Sequence, residues 1–261
     1  MKNRRNLGCA AVVAVVTLLS LGLSGSIAAV AAPLSATSSA STAGSEKVRT
    51  WDITGDSNSV GKAHPAHGLS ALEVGLASRR AYPVWVGERT VLDQSTSYAV
   101  GGRKTWEMLE NAKPTTSDLS VIMGGTNDIR HGYTISNSMK NIEKWAAVKD
   151  APRVLVLAIA PHQKLSSKVI AYNKALKKLV AKHASDHWVY SDPWVQMRDS
   201  KNAGKWARNC GASDGVHASP GGYYKLGLTV GTRIGKLLGT NYSDVRNPDK
   251  VSCLWEPGTT S

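Results

Sequence analysis

Residues 50–62 read TWDITGDSNSVGK, a run of alternating aromatic and β-branched residues that breaks abruptly at Gly55-Asp56-Ser57. Val48-Arg49-Thr50-Trp51-Asp52-Ile53 has the period-two pattern of a strand, and it opens the folded region. A turn of glycine, aspartate and serine directly after that strand admits three readings. It is a phosphate-binding loop, a presented nucleophile or an ordinary polar turn.

Counting removes the first reading. A phosphate loop needs Gly, four residues, Gly-Lys and then a Ser or Thr for magnesium. Here five residues separate Gly55 from Gly61, and Ala63 follows Lys62. The G-x-S-x-G elbow of α/β-hydrolases also fails, because Ser59 stands where its last glycine belongs. If Ser57 is a nucleophile, it belongs to a different arrangement.

Outward from this turn, strands and helices alternate. Residues 82–93 (YPVWVGERTVLD) read as an irregular extended segment leading to a second strand, and Gly101-Gly102 opens a helix near KTWEMLENA. LSVIM (119–123) and RVLVLAIA (153–160) are continuous apolar runs, as expected of strands buried on both faces. Residues 135–149 and 168–183 have helical apolar spacing, HWVYS (187–191) is a last strand, and Ser219-Pro220 starts a helix running to 238. Such alternation indicates an α/β fold with a parallel sheet covered on both faces. Ligands in these folds sit beyond the carboxyl ends of the strands, so the loops after residues 54, 98, 123, 160 and 191 are where function is expected.

The first 46 residues are organised differently. A basic KNRR at 2–5, an apolar run from Leu7 to Leu23 and the small-residue pattern Ala29-Val30-Ala31 make residues 1–31 a secretory signal peptide, with an uncleaved membrane anchor as the alternative. Arg4-Arg5 hints at twin-arginine export. Cys9 precedes the apolar core and so is not placed for lipid attachment. Residues 32–46 (APLSATSSASTAGSE) lack large apolar side chains and read as a linker, leaving 47–261 as one catalytic domain.

The formal charge of +13 falls by three to +10 once Lys2, Arg4 and Arg5 leave with the signal. A basic exported surface suits solubility and attraction to anionic polymers such as cell-wall material. The chain has no nucleic-acid motif, so nucleic acid is not an expected partner. Cys210 and Cys253 are the two cysteines of the exported chain, and an even count in an oxidising compartment points to a disulfide.

Three further blocks supply partners for Ser57. Gly102 lies in AVGGRKT, Asn127 in GGTND directly after the strand 119–123, and Asp214 stands three residues before His217 in SDGVH. A serine hydroxyl is a weak nucleophile until a base takes its proton, and that base needs a fixed tautomer. Asp214 can accept from one ring nitrogen of His217 while the other faces Ser57.

Together these residues resemble the SGNH (GDSL-type) hydrolase superfamily, secreted bacterial esterases among its members, over most of Val48–Leu238. The resemblance implies a three-layer, doubly wound, flavodoxin-like sheet. It implies Ser57 as nucleophile, His217 and Asp214 as base and acid, and an oxyanion hole from the Ser57 amide, the Gly102 amide (Gly101 the alternative) and the Asn127 side chain. It requires no metal or organic cofactor. One departure is visible: Asn58 stands where many members have leucine.

Trp194 in DPW and Trp206 in GKWARNC fall in the long loop after the last strand, where stacking on a substrate sugar and burial in the loop's own core are both open. His64 and His67 read as loop histidines, since a metal site needs more ligands than the two. The expected protein is a secreted, monomeric serine esterase acting on short-acyl esters of carbohydrate or other small substrates. The alternatives are a lipase-like hydrolase or O-acyltransferase of the same fold, and a non-catalytic wall-binding protein.

Overall fold

The computed structural model describes residues 49–60, 93–240 and 248–254. The signal peptide, the linker, the extended segment 82–92, His64 and His67 lie outside the described residues.

Five parallel strands form one sheet: β1 (Thr50–Gly55), β2 (Asp93–Ala99), β3 (Leu119–Met123), β4 (Val154–Leu157) and β5 (Trp188–Ser191), in the order β2-β1-β3-β4-β5. That order is the flavodoxin-like doubly wound topology, whose switch point lies between β1 and β3. Among the described residues the helices are α1 (Ser57–Val60), α2 (Thr105–Glu110), α3 (Thr126–Arg130), α4 (Ile135–Lys149), α5 (Ser166–Lys182) and α6 (Pro220–Leu238).

Strand alternation divides the core into two. Trp51, Ile53, Val121, Met123, Leu155 and Leu157 join Tyr223, Leu226, Val230 and Ile234 of α6 in one cluster. Ile122, Val154 and Val156 join Ile142 and Trp145 of α4 and Val169, Tyr172 and Leu176 of α5 in the other. Because successive side chains point to opposite faces, Asp52 and Thr54 face α4. Lys149 Nζ reaches Asp52 Oδ2 at 3.2 Å, and the Trp145 indole donates to Thr54 Oγ1 at 3.2 Å. Three layers result, as expected.

The differences from the sequence reading are at element ends. The strand expected over 153–160 pairs only from Val154 to Leu157, although Ala158, Ile159 and Ala160 remain fully buried. The fifth helix begins at Ser166 rather than 168. Asn127 belongs to the first turn of α3, not to the strand end. Ser219 caps α6 as read, its Oγ accepting from the Gly222 N–H at 3.1 Å with Pro220 at the first helical position.

Candidate active site

β1 ends at Gly55, and Asp56 turns the chain into α1. The Asp56 carbonyl accepts from Ser59 N–H at 2.9 Å, while its carboxylate Oδ1 accepts from Asn58 N–H at 2.9 Å. Ser57 is thereby the first helical residue, and its own N–H has no intrahelical acceptor. The side chain is nearly buried, with 7% of the residue exposed. Asn58 Oδ1 accepts from the Tyr223 hydroxyl at 3.3 Å, which ties the nucleophile turn to α6. The residue that departs from the family's leucine is thus held by a partner 165 positions away.

The acid and base occupy one compact loop. Gly211 and Ala218 pair as an antiparallel bridge, and the Ala212 N–H donates to the His217 carbonyl at 2.7 Å, closing residues 211–218 on themselves. Within the loop, Asp214 Oδ1 accepts from the N–H groups of Val216 (2.8 Å) and His217 (3.0 Å). Oδ2 lies 2.7 Å from His217 Nδ1, and His217 Nε2 lies 2.8 Å from Ser57 Oγ. A carboxylate only accepts, so Nδ1 carries the proton and Nε2 is left to accept from the serine hydroxyl. Three residues from opposite ends of the chain form one unbroken relay.

The oxyanion candidates sit on either side of Ser57. Val100 N–H donates to Gly55 O at 3.2 Å, which sets the turn 100–103 beside the nucleophile. Gly102 has φ +82°, a conformation that strains any residue with a Cβ, and Gly101 does not share it. Asn127 enters from the other side, after β3. Its Nδ2 donates to the Arg103 carbonyl at 3.0 Å, and its Oδ1 accepts from Arg130 Nη1 at 3.3 Å. These two contacts fix which way the amide faces and leave its second N–H for a ligand.

Asp128 completes the frame. Its carboxylate accepts from the Thr105 N–H at 3.0 Å, the Thr105 hydroxyl at 2.5 Å and the Ser138 hydroxyl at 2.7 Å. The turn that holds Gly102 and the helix that holds Asn127 are therefore locked together. Gly125, at φ +129°, makes the approach possible: a Cβ there would lie 2.1 Å from the Tyr172 ring. Sequence reading named Asn127 and missed Asp128 and Tyr172, whose partners Thr105 and Gly124 are distant in sequence, and Arg130, whose partner lies three residues away.

For Trp194 and Trp206, the two readings left open resolve to burial, so their assignment to substrate binding is withdrawn. Trp194 is fully buried, its indole donating to Ala158 O at 2.9 Å, and it meets Trp206 edge-to-face with centroids 5.5 Å apart. Trp206 is 8% exposed and packs under Gly211, at the base of the acid–base loop. Both fill the small core of the long loop, so neither presents a face on which a sugar could stack. Cys210 and Cys253 are joined across 43 residues, and Ser219 Oγ donates to the Cys253 carbonyl at 3.1 Å.

The GDSL-like Lipase/Acylhydrolase family is matched over residues 53–225. No protein of curated function matches the sequence. Among solved structures, a lipase/acylhydrolase from Enterococcus faecalis is similar at 16% identity and a TM-score of 0.56, over 76% of this chain and all of that one (100%). A family 3 carbohydrate esterase from Clostridium thermocellum is similar at 16% identity and 0.53, over 74% and 98%. An acetyl-xylooligosaccharide esterase from Geobacillus Stearmophilus, carrying a tryptophan-to-isoleucine change, is similar at 13% identity and 0.53, over 76% and 97%.

Proposed function

Because the chain belongs to the GDSL-like lipase/acylhydrolase family, we propose that it is an exported serine esterase that removes short acyl groups, of the acetyl type, from carbohydrate or other small hydroxylated substrates. The observation that carries this reading is the relay from Asp214 through His217 to Ser57 Oγ, with spacings of 2.7 and 2.8 Å.

The mechanism follows from the proton positions. His217 Nε2 takes the Ser57 proton as Oγ attacks the ester carbonyl carbon. Asp214 stabilises the imidazolium that forms. The Ser57 and Gly102 amides and the free N–H of Asn127 receive the negative charge on the former carbonyl oxygen. His217 then returns the proton to the departing alkoxide, leaving an acyl-serine and a free alcohol. Water, deprotonated by the same nitrogen, attacks the acyl-serine and regenerates Ser57.

Export is supported by the order of regions in residues 1–31 and by the joined cysteines, which persist in oxidising compartments. The short-acyl choice is supported by the absence from the sequence of a long apolar lid segment that could line an acyl tunnel. The carbohydrate choice is supported by the fold shared with two carbohydrate esterases. The +10 exported chain suits an anionic wall surface, and a monomer suffices for a site built within one chain.

The test is purified protein spanning residues 32–261 with a serine-reactive fluorophosphonate and a series of aryl esters from acetyl to palmitoyl. Labelling should map to Ser57, and Ser57→Ala should abolish labelling and lower kcat by roughly 10⁶. Acetyl and butyryl esters should turn over faster than palmitoyl. Folded wild-type protein that neither labels nor cleaves any ester would falsify the reaction, and faster turnover of palmitoyl would replace the short-acyl choice with a lipase.

A further inference from the structure

His162 is a buried titratable residue that the reaction above does not use. It follows β4 in the loop 158–165, so the strand order sets a row along the carboxyl edge of the sheet. Gly102 follows β2, Ser57 follows β1, Asn127 follows β3 and His162 follows β4. Because β4 lies next to β3, the loop of His162 stands beyond that of Asn127 in this row.

Its loop is stitched to the two loops opposite. His162 N–H donates to Gly204 O at 2.8 Å, and Gln163 N–H donates to Gly215 O at 2.8 Å. Gly215 lies between Asp214 and His217, so the loop that carries His162 is tied to the acid–base loop. The imidazole feels both the Asp214 carboxylate and the guanidinium of Arg130, the residue that holds Asn127 Oδ1.

The ring's protonation can be read from its contacts. Lys164 N–H donates to His162 Nδ1 at 3.2 Å, which requires a lone pair there and puts the proton of the neutral ring on Nε2. Burial, and next the Arg130 guanidinium, push the imidazole below the usual histidine range. The ring is therefore a neutral donor at neutral pH. That donor has no hydrogen-bond partner among the described residues, although the residue is only 5% exposed. Buried donors are nearly always paired, and a histidine kept only for packing has no reason to carry an orphan N–H.

The direction of its partner follows from the reaction. During acylation the alcohol oxygen must lie beside His217 Nε2, since that nitrogen protonates it. A donor on a loop tied to the one that carries His217 faces the alcohol part of the ester rather than the acyl chain. We propose that His162 is a specificity residue whose Nε2–H donates to a hydroxyl or ring oxygen of the alcohol part, so that esters of polyhydroxylated alcohols are selected over esters of featureless ones. This rests on the esterase reading above.

The experiment compares two substrates that transfer the same acyl group, 4-nitrophenyl acetate and an acetylated xylo-oligosaccharide, on wild type, His162→Leu and His162→Gln. Leucine should lower kcat/KM for the oligosaccharide roughly tenfold while leaving the aryl acetate within about twofold, and glutamine, which keeps an N–H donor, should recover part of the loss. Equal losses on both substrates, or no loss on either, overturn the proposal and leave the esterase intact. Wild type that cleaves the aryl acetate but no oligosaccharide acetate overturns it too. Wild type that cleaves neither ester sinks the esterase reading itself. If His162→Leu does not fold, Ser57→Ala protein supplies the readout. Its His162 Nε2–H resonance should shift on adding the oligosaccharide, and an unmoved resonance at saturation counts against the contact.

Discussion

Asp52 and Asp56 stand one short stretch apart on the same segment, and both are buried, yet their surroundings differ in kind. Asp52, in the body of β1, meets Lys149 Nζ at 3.2 Å and the Ser120 hydroxyl at 3.1 Å, both at Oδ2, while its Oδ1 has no hydrogen-bond partner among the described residues. Asp56, past the strand's carboxyl end, accepts from the Asn58 N–H on Oδ1, and its Oδ2 has no hydrogen-bond partner among the described residues. Burial pushes its carboxyl up to about 7, and Asp128 adds to the rise. The Asn58 N–H, the Thr126 hydroxyl and Arg130 act against it. Among the described residues, Asn58 Nδ2, Ser59 Oγ and His162 Nε2 are other buried polar atoms without a partner at this end of the sheet. The lesson is that the body of the sheet sets a lysine against its buried carboxylate, whereas the end that holds Ser57 gathers several polar groups that stay under-satisfied. Such groups cost stability, and they leave donors and acceptors free for a substrate.

The largest effect should come from breaking the body of the sheet. Lys149→Met leaves Asp52 buried without its cation and should cost about 3–5 kcal/mol in urea unfolding, with kcat per folded molecule unchanged. Adding Asp52→Asn should recover much of that loss. A cost below about 1 kcal/mol would mean that the pair is solvated and the contrast with Asp56 is unreal. At the other end, Asn127→Ala should show the reverse signature. It should lower kcat by roughly 10²–10³ with KM changed far less and little loss of stability. Near-normal kcat would reduce Asn127 to a brace for the Arg103 carbonyl.

Removing the Cys210–Cys253 link should affect both quantities. Cys253 is joined at the base of the loop that carries Asp214 and His217, so Cys210→Ser with Cys253→Ser should lose about 2–4 kcal/mol and some kcat. Free thiols in exported protein purified without reductant would remove the link and leave the catalytic assignment standing. A further effect should be the pH dependence of Asp56. A carboxyl whose folded pKa is raised binds its proton more tightly when folded, so the stability it lends at low pH is lost as pH rises from about 4 to about 7. Asp56→Asn cannot lose a proton, so its melting temperature should gain on wild type across that window and hold a constant offset above it. An offset that is flat from pH 4 to 8 would show Asp56 ionised in the ordinary range.

Much of the site was legible because its parts are local. The Asp214–His217 pairing is an interaction across three residues, and the Gly55-Asp56-Ser57 break is visible where the strand pattern stops. The tryptophans show the opposite limit. Trp194 and Trp206 lie in a polar loop, and nothing in the flanking residues shows that they pack on each other and on Ala158 O.

What the sequence determined by itself is therefore the α/β alternation, the parallel sheet and the order of the blocks that carry chemistry. Each of these rests on period, turn chemistry or short spacing, which local backbone physics dictates. Tertiary structure alone decided that Asn58 is held by Tyr223, that Asp128 binds Thr105 and Ser138, that Arg130 orients Asn127, and that His162 keeps a free N–H beside the acid–base loop. Most of these depend on chain segments that only the doubly wound topology brings to one edge of the sheet. No local pattern encodes a partner that distant, because the entropy of closing such loops is met by packing of the whole fold rather than by any one contact.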